Sequence, residues 1–196
     1  MMAISVRPLT GPEIAAVLDD LGRLRIAVFA DFPYLYDGDA AYEADYLAEY
    51  AAALDAVLVA AFDGERIVGA ATAAPMMHQK AEFRRPFEER GIDVARLFYF
   101  GESVLLPEYR GAGIGHAFFD HRERQAMQCG ANAACFAAVV RAGNHPARPA
   151  GYMPLDAFWA KRGYGLVPGL TTELAWKEHG AEAERVNVMQ YWLKQW

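Results

Sequence analysis

Hydrophobic positions change period several times along the 196-residue chain, and each change marks an element. Residues 3–8 read as a short strand. Thr10, Gly11, Pro12 and Glu13 open a helix whose apolar positions, Ile14, Val17, Leu18, Leu21 and Ile26, follow helical spacing. The segment FADFPYLYDGD (29–39) breaks that helix. A second helical run over 41–54 carries Tyr42, Tyr46, Leu47 and Tyr50. Two apolar runs, 57–62 and 66–73, flank Asp63-Gly64, a hairpin signal. The polar connection 75–95 contains QKAEFRRPFEERG (79–91), expected to be helical. LFYFGESVLL (97–106) is rich in strand formers and ends at Pro107. A helix is expected over 113–129 with Gly130 as its C-terminal cap, then a strand at 134–141 and a short helix at 155–162. Strands at 164–167 and 172–176 follow. The closing VNVMQYWLKQW is apolar enough to dock on the body, covering either its own core, the expected case, or the surface of a second copy in a homodimer.

Strands and helices mixed in this order, with hairpins, exclude a purely parallel doubly wound sheet. They predict a mixed α/β (α+β) fold, a single twisted sheet flanked by helices. No repeat or linker divides the chain, and its length suits one domain. Composition changes this picture little: 54% hydrophobic and 22% charged is ordinary for a globular enzyme. The net charge of −6 and the lack of a basic face argue against a nucleic-acid partner. The longest apolar stretch, 56–62, is too short to span a bilayer, and MMAISVRPLT lacks a basic leader with an apolar core. A cytoplasmic protein without a membrane partner is expected. Cys129 and Cys135 form no framework of disulfides and no zinc pattern, and His116 and His121 are not spaced as an i, i+4 pair, so no metal is expected.

The most informative segment is RGAGIG (110–115), between a strand and a helix. The first N–H groups of a helix lack internal partners and carry partial positive charge, which suits phosphate. Glycines let the backbone approach a ligand and adopt positive φ. A Walker loop would need Lys-Ser/Thr where this chain has His116-Ala117, and GxGxxG would need a glycine at His116. The pattern Arg/Gln-x-x-Gly-x-Gly/Ala is matched in full.

LLPEYRGAGIG resembles the central motif of the GNAT superfamily of N-acetyltransferases, and AFWAKRGYG (157–165) is similar to its late helix and following strand. The resemblance runs from residue 3 to 177 and leaves 178–196 as a C-terminal extension docked on the same domain. It implies acetyl-CoA as co-substrate and a central strand that splays from its neighbour. The backbone of Ser103, Val104 and Leu105 would then meet the pantetheine arm. Arg110, Gly111, Ala112, Gly113, Ile114, Gly115 and His116 would hold the pyrophosphate.

Amine acylation needs a neutral amine, a polarised thioester carbonyl and a leaving thiolate. Glu102, a carboxylate in an apolar strand beside the implied thioester, is the candidate base; the alternative is a solvated or salt-bridged residue on the other face. The tyrosine that the resemblance implies as general acid is here Trp159, whose indole cannot serve. Tyr152 is the candidate replacement; Tyr164 and Tyr99 read as core. Phe32, Tyr34, Tyr36 and Asp37 could form a pocket for a cationic amine, or simply pin their loop to the core. The sequence thus predicts an N-acetyltransferase acting on a primary amine, with a small-molecule acceptor preferred. Alternatives are acetylation of a protein lysine or N-terminus, a non-catalytic acyl-CoA sensor, and a nucleotide-binding protein.

Overall fold

The structure, a computed structural model, describes residues 4–9 and 11–196. Ala3 and Thr10, expected in the first strand and at the first helix start, lie outside the described residues. Among the described residues seven strands form one sheet in the order β1-β2-β3-β4-β5-β7-β6. They are β1 (Ser5–Leu9), β2 (Val57–Asp63), β3 (Arg66–Pro75), β4 (Leu97–Leu105), β5 (Ala133–Val139), β6 (Gly165–Lys177) and β7 (Glu184–Gln195). The helices are α1 (Gly11–Phe29), α2 (Ala40–Ala52), α3 (Ala81–Glu88), α4 (Ile114–Gln128) and α5 (Asp156–Lys161). The mixed sheet flanked by helices matches the expected fold class. Only β4–β5 is parallel among the strand pairs of this sheet.

Local chemistry sets most boundaries. Asp39 caps α2, its side chain accepting from the Tyr42 N–H at 2.8 Å. Gly64, at φ 61, turns the β2–β3 hairpin. Gly130, at φ 76, follows α4 as expected, and its N–H donates to the Met127 carbonyl.

Helices lie on both faces of the sheet. On one, Ile114, Phe118 and Phe119 of α4 pack on Val59, Phe98, Phe100 and Phe136, with Phe158 and Trp159 of α5 beside them. On the other, Leu21 and Leu24 of α1 and Leu47 of α2 cover Leu58, Ala60 and Val104. Phe87 of α3 covers Tyr99, Cys135 and Tyr191 there.

Two expectations at the C-terminal end change. The strands expected at 164–167 and 172–176 are one strand, β6, whose pairing is irregular between Leu166 and Thr171. The tail expected only to dock is instead β7, an inner strand bonded to β5 along one edge and β6 along the other. Residue 177 therefore marks no break in the sheet. Its inward residues Met189 and Tyr191 are buried, which is why the tail reads as apolar. Among the described residues no helix is long and apolar enough to cross a membrane.

Candidate active site

β4 pairs with β5 only at Leu97, Phe98 and Tyr99. Beyond Tyr99 the two strands separate. The antiparallel ladder to β3 tells which β4 backbone groups face the gap. Leu106 N–H donates to the Val68 carbonyl at 3.0 Å, which makes Val68 and Leu106 a hydrogen-bonded pair. Such pairs alternate, so Val104 and Ala70 form the next one. The backbone groups of Ser103 and Leu105 then point to the opposite edge, toward the gap. Val104, expected beside them at the cofactor, spends its backbone on β3 instead.

A bulge interrupts that ladder. Ala71 faces Ser103 and Ala73 faces Phe100, so Gly101 and Glu102 together oppose Thr72. The bulge reverses the side-chain alternation. Before it, Phe98 and Phe100 face α4 while Leu97 and Tyr99 face the opposite layer. After it, Val104 faces α1 and α2, and Leu105 packs with the α4 side. Glu102, two residues before Val104, thus turns away from α4. A one-residue register change is enough to do this.

Glu102 meets a buried charge network there. Arg25 of α1 forms ion pairs with both Glu102 and Glu43 of α2. Tyr46 donates its hydroxyl proton to Glu102 Oε2 at 2.8 Å, and the Glu102 N–H donates to Thr72 Oγ1 at 3.3 Å. The Arg25 guanidinium also lies over the Tyr46 ring at 4.4 Å and the Phe29 ring at 5.2 Å. Burial alone would lower the Arg25 pKa, but Glu102, Tyr46 and Glu43 together outweigh it and hold the guanidinium above its ordinary value. Sequence reading missed Arg25. Its signal was a cation four residues after Leu21, on the apolar stripe of α1.

Arg25, Phe29, Glu43, Tyr46 and Glu102 line a cavity of about 340 Å³. Its wall is aromatic, with Tyr34, Tyr36, Tyr42, Tyr50, Phe83 and Trp176 among the lining rings. The charged lining sets Glu43, Glu82, Glu102 and Glu173 against Arg25 and Lys80, an excess of negative charge. The segment before and into α3, from His78 to Phe83, forms part of the rim. Burial pushes the Tyr34 and Tyr36 hydroxyls up to about 12.

The loop between α1 and α2 contributes unevenly. Tyr34 and Tyr36 line the cavity, whereas Phe32 and Asp37 do not. Phe32 packs against Tyr152 and His145, with ring centroids 4.7 and 5.6 Å away. Asp37 sits at the surface, paired with Lys177 at 2.9 Å. Arg141, just past β5, pins the loop: it donates to the carbonyls of Pro33 (2.6 Å) and Tyr34 (3.2 Å), to Asn187 Oδ1 (2.9 Å) and to Glu178 Oε1 (2.7 Å). Tyr152, the expected acid, also lies outside the cavity lining, half-buried against Phe32 with Arg148 over its ring at 5.0 Å. Trp159 packs on Phe136 and Trp192, and Tyr164 is buried, donating to Glu123 Oε1 at 3.1 Å.

The glycine loop begins α4. Gly111 and Gly113 have φ of 79° and 82°, and a Cβ at either would meet nothing within 4 Å. Gly113 caps α4 with no side-chain bond, so the amides of Ile114, Gly115 and His116 have no partner within the helix. Arg110 and Ala112 are exposed. Tyr109 anchors the loop to the β2–β3 hairpin by donating to Asp63 Oδ2 at 2.8 Å.

Among curated proteins, none matches the chain in sequence. Solved structures do match in fold. The ribosomal-protein-alanine N-acetyltransferase of Brucella melitensis superposes with a TM-score of 0.62 at 14% identity, over 98% of this chain and 99% of that one. The yncA structure of Salmonella typhimurium, solved with its cofactor acetyl-CoA, gives 0.59 at 11% identity over 98% and 94%. A GCN5-related N-acetyltransferase of Kribbella flavida gives 0.59 at 16% identity over 99% and 98%. The model of the Acetyltransferase (GNAT) family matches residues 24–164, a span holding the charge network, the bulge and the glycine loop. The chain therefore belongs to the GNAT family of acetyltransferases, acyltransferases whose co-substrate is acetyl-CoA.

Proposed function

We propose that the protein moves an acetyl group from acetyl-CoA to the primary amine of a small molecule, by direct attack in a ternary complex. One observation carries this reading: an aromatic cavity with an excess of carboxylates lies beside the point where β4 leaves β5, and Glu102 lines it. Its volume suits a small ligand, and its charge suits a cationic amine.

In this reading the amides of Ile114, Gly115 and His116, with Gly111, Ala112 and Gly113, hold the pyrophosphate, and Arg110 adds a cation beside it. The free backbone edge at Ser103 and Leu105 holds the pantetheine arm. Glu102 takes the proton of the attacking amine, directly or through water. The amine nitrogen bonds the thioester carbon, the carbon–sulfur bond breaks, and CoA leaves as a thiolate. Tyr152 is the candidate donor to that thiolate. Burial raises its pKa, which keeps the phenol protonated until it is needed.

Calorimetric titration with acetyl-CoA, beside Gly113→Trp, tests the cofactor half. Saturable binding by the wild type and loss in the variant is expected. A screen of amines for CoA release tests the other half, with Glu102→Gln lowering kcat/KM by about 10²-fold or more. A folded protein that binds no acetyl-CoA overturns the reading. Binding without CoA release from any small amine moves the protein-acceptor and sensor readings forward.

A further inference from the structure

Arg122 is a buried cation with no carboxylate within 4.0 Å among the described residues. It lies on α4, with its guanidinium over Phe100 at 4.5 Å and Phe119 at 4.6 Å. Burial pushes its pKa down to about 10, so it stays charged at neutral pH. A charge in such a place costs stability unless its bonds return it.

Those bonds go to the bulge. Nη1 donates to the Thr72 carbonyl at 3.4 Å and to the Glu102 carbonyl at 3.3 Å. In an unbroken ladder Thr72 and Glu102 would be the next hydrogen-bonded pair after Ala70 and Val104. The bulge separates them, and both carbonyls accept from the same Arg122 nitrogen. Arg122 thus bridges the two strands across the bulge, while its Nε is anchored on the Phe118 carbonyl at 3.3 Å. Without the bulge, Glu102 would face Phe100 and α4 rather than Arg25 and Tyr46.

We propose that Arg122 is a positioning residue for acetyl transfer. Its guanidinium holds the β4 bulge open, and so fixes the direction of the Glu102 side chain and of the adjoining Ser103 backbone edge. The catalytic part of this inference rests on the role given to Glu102 above; the structural part does not.

The experiment compares wild type, Arg122→Met and Arg122→Lys. Hydrogen exchange of the backbone amides needs no substrate. In Arg122→Met exchange at Glu102, whose N–H donates to Thr72 Oγ1, is expected to rise about tenfold or more, with Leu97 to Tyr99 unchanged. With a responsive amine, kcat in Arg122→Met falls about 10²-fold, as a misplaced base would give, and the acidic limb of the kcat/KM profile shifts. Arg122→Lys keeps a cation but loses the planar fork that rests on Phe118, and kcat falls about threefold to tenfold in a folded protein. Unchanged exchange at the bulge in folded Arg122→Met overturns the proposal, whatever becomes of the amine screen. Should Arg122→Met not fold, Arg122→Lys decides: wild-type kcat and pH profile, or, without a responsive amine, wild-type exchange at Glu102, makes Arg122 a structural residue only.

Discussion

Arg25 of α1 and Glu102 of β4 form an ion pair between the helical layer and the sheet, their side chains only 10% and 8% exposed. Arg25 also pairs with Glu43, so one cation serves two buried carboxylates. Removing it leaves both uncompensated. Arg25→Met should destabilise the fold by about 3–5 kcal/mol, measured by urea unfolding, and adding Glu43→Gln should recover part of the loss. A loss below about 1 kcal/mol would show that the pair contributes little.

Gly101 is the residue that the bulge leaves no room to enlarge. A Cβ there would lie 2.5 Å from Thr72 Oγ1 and 2.8 Å from Tyr50 Oη. Gly101→Ala should cost about 1–3 kcal/mol and lower kcat, because Thr72 also holds the Glu102 N–H. By contrast, Gly115→Ala would place its Cβ 3.5 Å from Phe158, an ordinary contact, and should leave stability within about 1 kcal/mol of wild type. Thermal unfolding of the two variants side by side checks the contrast.

Arg141 acts on the cavity through the loop that carries Tyr34. Arg141→Ala frees the Pro33 and Tyr34 carbonyls and leaves buried Glu178 without its partner. The expected result is a loss of about 2–3 kcal/mol and a rise of about tenfold in KM for the acceptor, with acetyl-CoA affinity unchanged. Steady-state kinetics with each substrate varied in turn separates the two constants. Equal changes in both would place the effect elsewhere than in the cavity that Tyr34 lines.

Alkaline pH should loosen the same wall. The Tyr34 hydroxyl rises from an ordinary 10.0 to about 12, through burial first and then through Tyr152 and Glu102. A raised folded pKa means that the unfolded chain releases the proton first. The contribution is complete below about pH 10 and is lost as pH rises toward about 12. Urea midpoints should fall across that window, and Tyr34→Phe should make the fall shallower. An identical slope in the variant would remove Tyr34 from the account.

Much of this protein was legible in its sequence because the responsible interactions are local. The glycines at 111 and 113 announced positive φ before a helix, Asp63-Gly64 announced a hairpin, and Glu102 stood out as a charge in an apolar strand. The GNAT resemblance followed from two short segments, LLPEYRGAGIG and AFWAKRGYG. Tertiary structure decided what depends on partners distant in the chain. Whether Glu102 faced α4 or the opposite layer turned on a single extra residue opposite Thr72, and a bulge is a property of two strands rather than one. Arg25, Tyr46 and Arg122 became meaningful only when α1, α2 and α4 closed on that bulge. The tail showed its apolar character in sequence, but its place as an inner strand between β5 and β6 required pairing along both edges, which hydrophobic pattern alone does not encode.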